Sequence, residues 1–266
     1  MATNYINEYS WRSFLGIQAK NISYNDKFIS WEINKKRQLI KTNNLCEDDL
    51  LFIKSIVPFS FFYFSKKDVE ILEILERDGY SVSARKDPDI IIPVSNINYN
   101  GKAFRDIRWS INKISKMNIE ILSDFKNFDD ILKMLTIWGD TSAMKYFQDR
   151  SGKNKFFFKN NFHKDCINVF LYDKERLIGF AVLSPPDKSF NCSYIIGKSL
   201  CLIKNDDGVS YSGLSEYIDD LAYRKANELG AKTVNLGGGL KGTCAYKLKF
   251  PGAYKSDTYD GSVKLA

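Results

Sequence analysis

The feature that most limits the folds open to this chain is the run KTVNLGGGLKGTCAYKLKFPG, residues 232–252. A β-rich segment, Thr233 to Leu236, runs straight into Gly237, Gly238 and Gly239. Glycine loses more backbone freedom on folding than any other residue, so three in succession are costly. Such a run is expected where a turn needs positive φ, or where another chain lies against bare backbone. The segment Ala245 to Phe250 must pack beside it.

The preceding residues say what kind of sheet this strand joins. SGLSEYIDDLAYRKANELG reads as an amphipathic helix with Leu214, Ile218, Leu221, Ala222 and Leu229 inward and Gly230 as its stop. Before it, INVFLYDKERLIGFAVLSPP carries two apolar runs around Asp173-Lys174-Glu175, the pattern of a β-hairpin. CSYIIGKSLCLIK follows as a further strand, with Gly197 marking a bulge or a close approach. Upstream, SDFKNFDDILKMLTIWG is a helix that Ser123 or Asp124 can cap. The order hairpin, strand, helix, strand, helix predicts an α/β (α+β) domain with a mixed sheet.

The first half repeats the theme less clearly. Its first 45 residues are polar, with aromatic anchors Trp11, Phe14, Phe28 and Trp31. DLLFIKSIVPFSFFYFS reads as one or two buried strands broken at Pro58. KKDVEILEILERDGY is a helix with Val69, Leu72, Ile74 and Leu75 on one face, ended by Gly79. SVSARKDPDIIIPVS is extended, with Ile90 to Ile92 as a buried strand. NGKAFRDIRWSINKISKMNIEIL then sets Phe104, Ile107, Ile111 and Ile114 on one helix face. Lys102, Arg105, Arg108, Lys113 and Lys116 form a basic stripe on another. The stripe is either a solvated face or a phosphate-facing one, and Trp109 adds a surface on which a base could stack.

Composition narrows the chemistry. Of five cysteines none forms a CxxC pair, which excludes a disulfide framework and a zinc site as expectations. The one histidine, His163, has no acid nearby at a useful helical spacing, so the chemistry is expected to run largely without imidazole. No apolar run is long enough to span a membrane, and the opening residues lack an apolar signal core, so a cytoplasmic location is expected. The net charge of +7 suits a polyanionic partner such as tRNA, or phosphate-bearing substrates.

LERDGYSVSARKDPDIIIPVS followed by NGKAFRDIRWSINKISKMNIEI resembles the Fem family of aminoacyl-tRNA-dependent peptidyl transferases, within the GNAT superfamily. VNLGGG and AYKLKFPG resemble that family's closing signature, a glycine-ended strand followed by F-K-x-x-F-G, with Tyr246, Lys247, Phe250 and Pro251 in those places. The C-terminal domain of phosphatidylglycerol lysyltransferases also looks similar. The resemblance covers roughly residues 50–255 and implies a tandem GNAT-like fold. Residues 1–120 would form a degenerate GNAT-like half, and residues 121–266 the half that carries the transfer site. Two features depart from the family: Pro251 stands where glycine is usual, and the chain is too short for a coiled-coil arm.

The same resemblance implies an aminoacyl-tRNA donor and an acceptor that is a peptide, a lipid headgroup or a small amine; no cofactor or metal is expected. Gly237, Gly238, Gly239, Lys241 and Tyr246 would border the donor or acceptor, and Arg105 and Arg108 would touch donor phosphates. Lys247 would face the oxyanion or the donor phosphates, and Asp219, Asp220 and Tyr211 are the candidates for taking a proton. Acyl-CoA is the alternative donor. A CoA-using member needs R/Q-x-x-G-x-G/A before the main helix, whereas KNDDGVSYSGLSEY keeps only Gly208 and Gly213 and sets Asp206 and Asp207 beside them. Three functions therefore stand open: a tRNA-dependent aminoacyltransferase, an N-acyltransferase using acyl-CoA or an acyl carrier protein, and an inactive double-GNAT binding protein.

Overall fold

The computed structural model describes residues 20–24, 28–33, 35–41, 45–95, 97–141, 154–155, 157–161, 163–186, 190–237 and 241–266. Trp11, Phe14, Gly238 and Gly239 lie outside them.

Two mixed sheets, flanked by helices, carry the structure. The first contains β1 (Lys20–Tyr24), β2 (Phe28–Ile33), β3 (Lys36–Lys41), β4 (Phe59–Phe64) and β5 (Tyr80–Lys86). The chain's last strand, β13 (Tyr259–Leu265), inserts antiparallel between β4 and β5. Leu39, Ile53, Phe61, Leu72 and Val263 form the core of this sheet.

The second sheet runs in the order β12, β6, β11, β10, β9, β8, β7. Its members are β6 (Ile90–Pro93), β7 (Ile119–Leu122), β8 (Ile167–Asp173), β9 (Arg176–Leu183), β10 (Asn191–Ser199), β11 (Thr233–Asn235) and β12 (Tyr254–Lys255). β8 and β9 form the expected hairpin, with Lys174 at positive φ in its turn. They are buried at nearly every position, because both faces of the sheet are covered. One face packs on α3 (Arg105–Ile114) and α5 (Leu214–Glu228) through Ile107, Ile114, Ile178, Ala222 and Val234. The other packs on α4 (Phe128–Thr141) through Met134, Phe158, Phe170 and Phe180. No helix among the described residues is long and apolar enough to cross a membrane.

Three local expectations are corrected. Leu50–Ser55 is a helix, α1, rather than a strand, and only Phe59–Phe64 beyond Pro58 is extended. Leu50 and Ile53 of α1 face the core while Leu51 is exposed, which is helical rather than alternating burial. α2 (Lys66–Glu73) continues as a 3₁₀ turn to Gly79 as expected. At the start of α4 it is Asn127, not Ser123 or Asp124, whose side chain accepts the Asp130 amide, at 3.0 Å. Leu229 is exposed, and the inward face of α5 holds Asp219, Asp220, Tyr223 and Ala226 instead.

Candidate functional site

The site arises where β10 parts from β11. The two strands pair in parallel over only three residues, ending at Ser193 and Asn235. β10 then bulges between Tyr194 and Ile196 and continues to Ser199 paired to β9 alone. β11 ends at Asn235, and the chain turns through Gly237 into α6 (Lys241–Leu248). The divergence leaves a cavity of about 430 Å³. Gly197, Lys198 and Ser199 line it from β10, Ser215, Asp219 and Tyr223 from α5, and Tyr246 and Lys247 from α6. Trp138 of α4, Tyr194 and Leu236 also line it.

A carboxylate sits at its heart. Asp219 is 7% exposed, and each of its oxygens accepts a phenol: Tyr194 donates to Oδ1 at 2.6 Å and Tyr246 to Oδ2 at 2.8 Å. Burial pushes its pKa up to about 6, against the two phenol hydrogen bonds, which favour the charged form. Burial and the adjacent carboxylate keep the Tyr194 and Tyr246 phenols protonated, well above their ordinary range. Tyr194 can stand there because residue 197 is glycine. A Cβ on Gly197 would lie 2.0 Å from the Tyr194 hydroxyl.

Lys247 projects from α6 to the end of β11. Its Nζ donates to the carbonyls of Leu236 at 2.5 Å and Gly237 at 2.9 Å, and burial lowers its pKa. Gly237 has φ 65°, so the first glycine of the run does occupy the left-handed region, and among the described residues nothing lies within 4 Å of a Cβ added there. Lys198 also lines the cavity, and Lys249 lies beside Tyr246. Lys249 pairs with Glu216 and lies 3.9 Å from the Tyr246 ring centroid, and Lys198 lies 4.3 Å from that of Trp138.

Of the sequence-derived candidates, Asp219, Tyr246 and Lys247 meet in this cavity, with Gly237 behind Lys247. Lys241 opens α6. Tyr211 is elsewhere, buried with its hydroxyl on Asp173 Oδ2 at 2.5 Å. Asp220 turns away from the cavity wall to accept Arg224 Nε at 2.9 and 3.0 Å. Arg105 is exposed beside Asp106. Arg108 donates to the backbone carbonyls of Tyr99 and of Gly101, the latter at 2.7 Å. Lys113 of the same stripe donates to the Ser212 hydroxyl at 2.8 Å. His163 does have an acid partner, Asp124 at 3.1 Å, but it is buried against Phe125 and Phe158, and burial lowers its pKa.

Tyr194, Trp138 and Asn235 escaped the sequence reading, since no spacing links them to α5 or α6. Asp219 carried a usable signal. It lies between Ile218 and Ala222 on the apolar face of a helix, where an unpaired carboxylate would be costly.

No family model matches the chain, and no curated protein matches it. Solved structures do. A conserved protein of unknown function from Bacteroides thetaiotaomicron superposes with a TM-score of 0.69 at 15% identity, over 98% of this chain and 90% of that one. L-PGS from Bacillus licheniformis superposes at 0.66 with 12% identity, over 94% and 85%. FemX superposes at 0.60 with 11% identity, over 95% and 90%. The chain therefore has a GNAT/Fem-like fold.

Proposed function

We propose that this protein is an acyltransferase that moves an aminoacyl group from aminoacyl-tRNA to an amine or hydroxyl of a peptide, lipid or small-molecule acceptor. One observation carries the reading: the cavity where β10 and β11 diverge brings the Asp219 carboxylate and the Lys247 ammonium to its walls. The likeness in fold to L-PGS and FemX supports it.

The donor ester is already activated, so catalysis needs positioning, a proton acceptor and a charge opposite the oxyanion. With a pKa of about 6, Asp219 is ionised at neutral pH. It takes the proton from the acceptor nitrogen or oxygen as that atom's lone pair attacks the ester carbon. The carbonyl π electrons move onto oxygen, opposite Lys247. When the intermediate collapses, the oxyanion pair re-forms the carbonyl and the C–O bond to the RNA breaks. The departing oxygen takes the proton back from Asp219 to become a hydroxyl, which regenerates the carboxylate.

The loop before α5 favours RNA over CoA as donor. The Ser212 and Leu214 amides are already engaged, donating to Ser210 Oγ and the Tyr211 carbonyl, and Lys113 grips Ser212. Asp206 and Asp207 lie beside Lys174, near the β8–β9 turn. Acyl-CoA or an acyl carrier protein is the second reading, favoured by the glycine cap of α5 at Gly213, where a diphosphate would approach a helix N-terminus. The two-part division, residues 1–120 and 121–266, belongs to the same proposal. Within it β6 and β7 cross into the second sheet, and β13 crosses into the first.

The test is to incubate the protein with mixed charged tRNAs and, separately, with acyl-CoAs. Consumption of charged tRNA is expected. Consumption of acyl-CoA alone would overturn the donor, and consumption of neither would leave an inactive binding protein.

A further inference from the structure

Lys247 is held by carbonyls that are themselves held. The Gly237 amide donates to Asn235 Oδ1 at 2.7 Å, which closes the turn and sets the carbonyls of Leu236 and Gly237 toward Lys247. The other end of the Asn235 amide donates through Nδ2 to Asp89 Oδ2 at 2.9 Å. Asp89 is buried, at 3% exposed, and its backbone is fixed in turn. Its amide donates to Ser256 Oγ at 3.1 Å and Thr258 Oγ1 at 3.2 Å, and its carbonyl accepts the Ser256 amide at 2.8 Å. Residues 86–90 and 255–259 are the places where the chain passes between the two sheets. A continuous set of hydrogen bonds thus runs from the crossing point of the sheets to the ammonium in the cavity.

We propose that Asn235 and Asp89 are positioning residues for Lys247, fixing the two carbonyls that aim its ammonium into the transfer cavity. The proposal rests on the transferase reading for its kinetic consequence, but not for its geometric one. Residue type is informative here. An Asp or Ser at position 235 could still accept the Gly237 amide and close the turn. Of these three, Asp has no donor for Asp89 when ionised and Ser is too short to reach it, whereas Asn accepts from Gly237 and donates to Asp89 at once. The turn alone would not demand asparagine; the link to Asp89 does.

The experiment uses the full chain with isotopically labelled lysine side chains. The Lys247 ammonium resonance is assigned by its loss in Lys247→Met and followed through a pH titration. Asn235→Asp keeps the turn but sets two carboxylates against each other. It should move the Lys247 resonance and its titration, and lower kcat on the order of tenfold to a hundredfold, the scale of a misplaced catalytic group. KM should stay within about twofold, since ground-state binding is untouched. The double variant Asn235→Asp with Asp89→Asn reverses donor and acceptor and should restore both resonance and rate. Should Asn235→Asp fail to fold, Asn235→Ser keeps the turn acceptor, is too short to reach Asp89, and should behave the same way. A Lys247 resonance and titration identical to wild type in the single variant would overturn the proposal, as would failure of the double variant to restore them. If the wild-type protein transferred from no donor, the transferase reading would fall, while the resonance would still judge the positioning.

Discussion

The Tyr246 hydroxyl donates to Asp219 Oδ2 at 2.8 Å, tying α6 to the middle of α5 across the cavity. With Tyr194 on the other oxygen, this makes a buried carboxylate whose ionisation is set by competition between burial and two phenols.

Asp219 should therefore leave its mark on both rate and stability. Transfer should rise with pH through about 6 as the carboxylate ionises, and Asp219→Asn should abolish that inflection. The folded pKa is raised from 3.8, so the native state binds the extra proton. Its stabilising contribution is full below the unfolded pKa and is lost as pH rises through about 6. A shift of that size is worth about 3 kcal/mol. Denaturation at several pH values, wild type against Asp219→Asn, reads the difference, and a flat difference would refute the assignment.

Removing either phenol should push Asp219 further up. Tyr246→Phe and Tyr194→Phe should each move the rate inflection to higher pH and cost about 1–3 kcal/mol, because an acceptor loses its donor. Gly197→Ala should imitate Tyr194→Phe, since the new methyl group displaces the Tyr194 hydroxyl. A pH–rate profile unchanged across all three would disconnect the phenols from the carboxylate.

Lys247→Met should lower turnover roughly one hundredfold, the effect of losing one oxyanion donor. Single-turnover kinetics with a charged donor measures it. An unchanged rate would return Lys247 to a purely structural role at the end of β11.

Gly237 separates backbone strain from steric exclusion. Among the described residues nothing lies within 4 Å of a Cβ added there, while its φ is 65°. Gly237→Ala should then lower stability by about 1–2 kcal/mol through conformation alone. A melting temperature equal to wild type would contradict that account.

The two arginines of α3 should behave differently. Arg105→Ala should leave stability within about 0.5 kcal/mol, as surface changes usually do. If Arg105 meets an RNA phosphate, that variant should also flatten the salt dependence of donor binding by about 0.7–0.9 in slope. Arg108→Ala should instead destabilise by about 1.5–3 kcal/mol, because it strips a charged donor from the Tyr99 and Gly101 carbonyls. Equal melting temperatures for the two variants would overturn the distinction.

Much of this was legible in the sequence, because period and punctuation are local. The β8–β9 hairpin, the stripe of α3, the helix ended near Gly230 and the glycine-ended β11 all follow from side-chain spacing and turn residues. The mixed α/β class follows from their order. DLLFIKSIVPFS misled, since a short apolar run fits a strand or a buried helix turn equally well. The motif that picked out Lys247 and Tyr246, and the odd carboxylate on the apolar face of α5, led to one cavity. What the sequence could not decide is long-range. Nothing local places β13 between β4 and β5, sends β6 to the second sheet, or sets Asp89 against Asn235 across 146 residues. Nor does it show that Arg108 spends its charge on carbonyls, or that Tyr194 rather than Tyr211 reaches the cavity acid. Those outcomes depend on which strand edges pair and which buried polar groups find partners. The tertiary structure decides them because every buried donor and acceptor must be satisfied at once.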